Sequence, residues 1–311
     1  MMQNLHGMDL LTLGELTPAD VSTVLERATA QKQTRALTRR VPTMTDKSAA
    51  LIFMKPSMRT RVSFELACVD LGIHPVVLGA GDAFSRNESI HDTVKVLERY
   101  VECIVIRTFA QADVEQIAEH SSVPVVNALT DDFHPCQVLA DLLTIREHKG
   151  HIEGLTLAYV GDGNNMANTL MIGGALTGMH VNIASPQGFE PRADVVSTAV
   201  DLAARHGTGA VIHVMRSPHE AVAGADVVVT DTWASMGQEA EHAQRAAAFA
   251  GYQVTEALMA EAAEGAIFMH CLPAHRGEEV TNEVIDAPYS VVFDEAENRL
   301  HVQRAWLSLV V

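Results

Sequence analysis

Apolar runs of strand length alternate with amphipathic helical patterns along nearly the whole chain, and that alternation leaves few folds open. Ala49–Met54, Pro75–Leu78, Cys103–Ile106 and Val123–Val126 come before Asp131; Leu155–Val160, Val181–Ala184, Val211–Val214, Val227–Thr230, Ala266–Met269 and Val291–Phe293 come after it. Strands separated by helices need crossover connections, so their sheets are parallel. With 311 residues, 48% of them hydrophobic, the chain can bury two cores. A helix predicted over Pro135–His148, with proline at its first position and Gly150 beyond its end, separates the two series. The expected fold is therefore α/β with two domains, each a parallel β-sheet flanked by helices. The first domain spans 1–149 and the second 150–294; within 295–311 a final helix, Asn298–Leu309, is expected to pack back on the first domain. No internal repeat or low-complexity linker interrupts this plan.

The segment KPSMRTRVSFE, Lys55–Glu65, places three basic side chains and the hydroxyls of Ser57 and Thr60 where a strand gives way to a helix. Pro56 resists continuing the strand, Ser57 is a good N-cap, and Phe64, Ala67 and Leu71 recur at helical spacing until Gly72. The free amides of the first helical turn, with Arg59, Thr60 and Arg61 around them, suit an oxyanion such as phosphate.

A net charge of −17 makes this cationic spot more telling, because most of the surface repels anions. The same charge argues against nucleic acid as a partner, since no basic face or basic run is present. The opening residues MMQNLHGMDLL have no charged n-region or long apolar stretch, and no run reaches membrane-spanning length, so a cytoplasmic protein without a membrane partner is expected. Cys68, Cys103, Cys136 and Cys271 are scattered without CxxC spacing, as reduced thiols would be.

The other polar constellations fall at strand ends, where open α/β folds bind ligands. Arg107 follows CIVI; HPCQ (His134–Gln137) opens the separating helix; GDGNN (Gly161–Asn165) follows LTLAYV; DTWASMG (Asp231–Gly237) follows ADVVVT; HCLP (His270–Pro273) follows AIFM. The HPC and HC spacings let few ligands converge on a zinc ion, so no metal is expected. GDGNNM lacks the third glycine of a dinucleotide fingerprint, with Met166 in its place, and no cofactor is expected either.

In this order the motifs resemble the aspartate/ornithine carbamoyltransferase family over nearly the whole chain: SMRTR, Arg107, HPCQ, GDGNN, DTWASMG and HCLP stand where the family has STRTR, an arginine, HPxQ, GDxxNN, DxxxSMG and HCLP. The resemblance implies two α/β domains with the substrates between them, and a homotrimer or an assembly of trimers. It implies transfer of a carbamoyl group from carbamoyl phosphate to the δ-amine of L-ornithine, giving L-citrulline and phosphate, a reaction of arginine metabolism. The alternatives are aspartate, acetylornithine or putrescine as acceptor, or a non-catalytic metabolite-binding protein. HCLP and SMG favour the ornithine-type acceptor.

By position, the resemblance assigns Ser57, Met58, Arg59, Thr60, Arg107, His134, Gln137, Cys271, Leu272 and Arg299 to carbamoyl phosphate. Thr60, Arg107 and His134 would polarise the carbamoyl oxygen, and Gln137 with the Leu272 carbonyl would orient the carbamoyl nitrogen. Asn165 and the Met236 backbone would take the ornithine α-carboxylate, and Asp231 and Ser235 its α-amino group. Cys271, paired with Asp231, would lie beside the δ-amine as base or as positioner; keeping such an amine neutral at pH 7 costs about 4–5 kcal/mol. Arg107, His134, Asp231 and Cys271 form the expected catalytic set. Two departures stand out. Met58 replaces a threonine whose hydroxyl is worth about 1 kcal/mol, and Ala83 replaces a polar residue in the loop 79–89. In that loop Arg86 is expected to reach a neighbouring subunit's site. The segment Ser235–Tyr252 is expected to close over the amino acid.

Overall fold

The computed structural model describes residues 4–38, 40, 42–82, 84, 88–233 and 242–311. The chain forms two compact units, one of 1–143 with 297–311 and the other of 144–296. Both boundaries fall inside helices: α5 (Pro135–Lys149) and α12 (Val292–Val310).

In the first unit, β1 (Ser48–Phe53), β2 (His74–Gly79), β3 (Ile104–Arg107) and β4 (Val125–Leu129) form a parallel sheet in the order β2-β1-β3-β4. The helices α1 (Pro18–Thr38), α2 (Met58–Leu71), α3 (Ile90–Leu97) and α4 (Gln111–His120) lie between and before these strands in sequence. Ala50, Ile52, Ile104, Ile106 and Val125 of the sheet bury against Val94 of α3 and Val114 and Ile117 of α4. The strand order reverses between β1 and β3, so the crevice at their carboxyl ends is the topological switch point. The SMRTR segment follows β1 and Arg107 ends β3.

The second unit has a parallel sheet ordered β7-β6-β5-β8-β9, from β5 (Thr156–Val160), β6 (His180–Ala184), β7 (Ile212–Met215), β8 (Val227–Thr230) and β9 (Ile267–His270). Here the switch point lies between β5 and β8, whose ends carry GDGNN and Asp231. Ala158, Val160, Val228 and Phe268 join Val254, Val280 and Val284 in its core. No helix among the described residues is long and apolar enough to cross a membrane.

The strands expected from the sequence are present with ends shifted by at most three residues, the largest shift being at β4, which runs to Leu129 rather than Val126, and with one exception. Val291–Phe293 is not a strand: α12 begins at Val292. Three residues of strand propensity mislead there, because Asp294 and Glu295 supply an acidic first turn that favours a helix start. Sheet contact ends just earlier, with a bridge between Phe268 and Ser290 and the Val291 amide donating to the Phe268 carbonyl at 3.0 Å.

Candidate active site

The strand-to-helix junction of the first unit forms as its sequence requires. Ser57 is extended (φ −163°) and its hydroxyl accepts from the Thr60 amide at 3.2 Å, capping α2, while Gly72 ends the helix in the left-handed region (φ 89°). The three basic side chains of this segment do not act together. Arg61 is exposed and pairs with Glu65 at 2.6 Å one turn on, a solvated helix-face contact. Lys55 is buried and bonded to Asp131. Only Arg59, half-buried, has no carboxylate partner among the described residues. Met58 is exposed on the first turn.

Thr60 is the hub instead. Its buried hydroxyl accepts from Arg107 Nη1 at 3.5 Å and from Arg299 Nη2 at 3.3 Å. Arg299 Nη1 also donates to Gln137 Oε1 at 2.6 Å, and Gln137 Nε2 donates to Asp141 at 2.8 Å. Arg107 sits just past a register irregularity at Ile106/Arg107, which re-aims its side chain at the strand end. His134 is buried beside this pair. Burial first, then the Arg299 and Arg107 guanidiniums, hold its imidazole well below the ordinary histidine range, so it is neutral at pH 7. Neighbouring Cys136, buried and bonded to the Asn127 carbonyl at 3.4 Å, has its thiol pushed up to about 12 by burial, an inert group.

In the second unit, Asn164 has two roles beyond those expected of the GDGNN turn. Its Oδ1 caps α6 (Asn165–Thr177) by accepting from Met166 N at 2.9 Å and Ala167 N at 3.4 Å, and it also accepts from the Tyr159 hydroxyl at 3.2 Å. Its Nδ2 donates to Asp231 Oδ2 at 2.8 Å. Asp231 Oδ1 accepts from the Cys271 thiol at 3.2 Å and from Thr232 N at 2.8 Å. Asn165 is nine-tenths buried at the start of α6. Burial, then the charge of Asp231, keeps the Tyr159 phenol protonated as a donor. The NN pair in GDGNN is the visible sequence signal for Asn164. Gly163 is also fixed by packing: a Cβ there would lie 2.1 Å from Pro191 N and 2.3 Å from the Glu190 carbonyl carbon.

Cys271 and Leu272 follow β9 in a turn held from behind. Leu272 has φ 57°, costly for a non-glycine residue, and its amide donates to His270 Nδ1 at 2.9 Å. That bond fixes the tautomer, so His270 Nε2 carries the proton and donates to Glu279 Oε1 at 3.0 Å; the same oxygen accepts from His275 N at 2.6 Å. His270 and Glu279 are completely buried. Donor atoms of Asp231, His270 and Cys271 lie within 4.8 Å of one another, but both His270 nitrogens are engaged, so the thiol and the carboxylate bond each other rather than the imidazole. Farther back, Arg245 of α9 (His242–Ala248) bonds Asp162 at 2.7 Å and the Trp233 carbonyl at 2.8 Å. Arg86, Ala83, Ser235 and Met236, and with the last two most of the expected closing segment's first half, lie outside the described residues.

The sequence profile of the aspartate/ornithine carbamoyltransferase carbamoyl-P binding domain matches residues 8–147, and that of the Asp/Orn binding domain matches 153–310. The chain belongs to this family. Among its relatives, a protein named ornithine carbamoyltransferase from Carboxydothermus hydrogenoformans is 50% identical over 100% of both chains. One of the same name from Clavibacter sepedonicus is 53% identical over 94% of this chain and 95% of its own. The solved ornithine carbamoyltransferase of Pyrococcus furiosus matches with a TM-score of 0.94 and 48% identity, covering 99% of this chain and 98% of its own. In both family domains the described residues of the quoted motifs stand at or follow the carboxyl ends of the strands.

Proposed function

We propose that this member of the family transfers the carbamoyl group of carbamoyl phosphate to the δ-amine of L-ornithine, releasing L-citrulline and phosphate. The observation that carries the chemistry is the Thr60 hydroxyl shared by Arg107 and Arg299, with neutral His134 beside them. The names of full-length relatives at about half identity support the acceptor.

In this reading the δ-amine nitrogen attacks the carbonyl carbon, the bond from carbon to the bridging phosphate oxygen breaks, and the amine proton leaves to the phosphate or to solvent. Negative charge grows first on the carbonyl oxygen and then on the leaving phosphate. Arg107, Arg299, Arg59 and the capped amides of Ser57 to Thr60 meet the phosphate, while Thr60, Arg107 and His134 donate to the carbonyl oxygen. A cationic imidazole is not required, because a neutral N–H donates without adding a third charge to two buried guanidiniums. Gln137, whose Oε1 accepts from Arg299, orients the carbamoyl nitrogen, and the Leu272 carbonyl assists. Arg59, Thr60 and Ser57 thus serve the first substrate, with Met58 contributing only backbone.

Asp231, held by Asn164, takes the ornithine α-amino group, with Asn165 and the Ser235–Met236 segment on the remaining polar groups. The Cys271 thiol, bonded to Asp231, lies beside the δ-amine and positions it for attack. The active form is proposed to be a homotrimer or an assembly of trimers acting in the cytoplasm.

Phosphate release with carbamoyl phosphate and, separately, ornithine, aspartate, acetylornithine or putrescine tests the reading. Ornithine is expected to be the preferred acceptor by a wide margin; reaction with aspartate alone would overturn the assignment of the second unit, and turnover with none would overturn catalysis. Sedimentation analysis tests the assembly.

A further inference from the structure

Lys55, like Arg61, is left unused by the proposed chemistry, yet unlike Arg61 it is only 5% exposed. Its ammonium is bonded to the half-exposed Asp131 carboxylate and lies 4.2 Å from the centre of the Phe109 ring. These three residues belong to three different loops, those after β1, β3 and β4. Backbone bonds join the same loops at their roots: Met54 N to Arg107 O at 2.9 Å, Thr108 N to Leu129 O at 3.0 Å, and Asp131 N to Phe109 O at 2.8 Å. Each loop also carries a group of the site within five residues of its anchor. Ser57 and Thr60 follow Lys55, Arg107 precedes Phe109, and His134 follows Asp131.

We propose that Lys55 is a positioning residue that braces these three loops and thereby sets the spacing of Thr60, Arg107 and His134, without itself contacting the phosphate. An ammonium neutralised by a carboxylate and resting on a ring face has little charge left for a second anion. The groups it aligns, in contrast, work only when held within a fraction of an ångström of one another. The inference rests on the carbamoyl phosphate half of the function proposed above and is independent of the acceptor.

Binding of phosphonoacetamide, an unreactive analogue with the same phosphate and amide groups, is measured by isothermal titration on the full chain without any amine present. The choice of amine in the acceptor assay therefore does not affect the result. Lys55→Met and Asp131→Ala are each expected to weaken binding about tenfold, and the double variant also about tenfold rather than a hundredfold, since both remove one brace. Lys55→Arg, which can still pair with Asp131 and stack on Phe109, is expected to stay within about threefold. A large loss in Lys55→Met with none in Asp131→Ala would mean that the lysine touches the ligand and would overturn the inference. Losses that multiply in the double variant, or no loss in either single one, would overturn it as well. Should Lys55→Met fail to fold, Asp131→Ala compared with Lys55→Arg carries the same test: loss in the former and retention in the latter support the brace, and the reverse refutes it.

Discussion

Replacing Asn164 separates two jobs that one side chain performs. In Asn164→Ala the α6 cap is lost, worth about 1 kcal/mol, and the bond to the Asp231 carboxylate goes, worth about 1.5–3 kcal/mol. The buried Tyr159 hydroxyl also loses its acceptor, at about 1–3 kcal/mol. These terms overlap, and about 3–5 kcal/mol is the expected sum, a fall in melting temperature of about 6–20 °C for a unit of this size. Asn164→Asp keeps the cap and the acceptor for Tyr159 but sets a second carboxylate where a donor stood 2.8 Å from Asp231 Oδ2. Two carboxylates that close share a proton, so the apparent pKa of the pair rises. Stability at pH 7 should then fall by about 1.4 kcal/mol per unit of that rise, less than in Asn164→Ala, while the acid limb of kcat/KM for ornithine moves up by about one unit or more. Thermal melts and pH–rate profiles of both variants decide the matter. An Asn164→Ala melt within about 2 °C of the parent, or an unmoved acid limb in Asn164→Asp, would falsify the reasoning.

Glu279→Ala strips the acceptor from both His270 Nε2–H and His275 N–H, costing about 2–5 kcal/mol and loosening the Cys271–Leu272 turn, whereas Glu279→Gln retains an oxygen there. Melting curves and the ornithine KM should therefore be near normal for Gln and poor for Ala; equal damage in both would point to the charge instead. His134 is held neutral, its folded pKa lying below the unfolded value of about 6.5, so the unfolded chain takes up the extra proton as pH falls through that value. Its contribution to stability is thus complete above about pH 6.5 and is lost below it, and its ring resonances in NMR should not titrate near that pH. Arg61→Ala should change stability and carbamoyl phosphate KM by no more than about 0.5 kcal/mol. Arg299→Ala should lower kcat by about a hundredfold or more, and similar kinetics for these two arginine variants would refute the division drawn between them.

Much of the fold could be read in advance because its determinants are local. The Ser57 cap, the Gly72 stop and the alternation of strand and helix each depend on neighbours a few residues away. Val291–Phe293 failed because propensity over three residues loses to the register of a nineteen-residue helix with an acidic first turn. The site was legible as a set of motifs, but not as a network. Glu65 lay in plain view at the fourth position after Arg61 and could have marked that arginine as a helix-face charge. Asp131, the partner of Lys55, is 76 residues away, and no periodicity announces such a pair. The split of duties between Asn164 and Asn165 likewise needed coordinates, since both stand at a helix start where either could serve as cap.

The two guanidiniums on Thr60 are more than nine-tenths buried in a molecule of net charge −17, and this has a kinetic result. Their pull is felt only at short range, while the repulsion of the whole surface extends over a Debye length, about 8 Å in physiological salt. Added salt weakens the outer repulsion more than the sheltered attraction. Anion capture by this protein should therefore accelerate as ionic strength rises, the opposite of what is seen in enzymes whose outer field draws the ligand in.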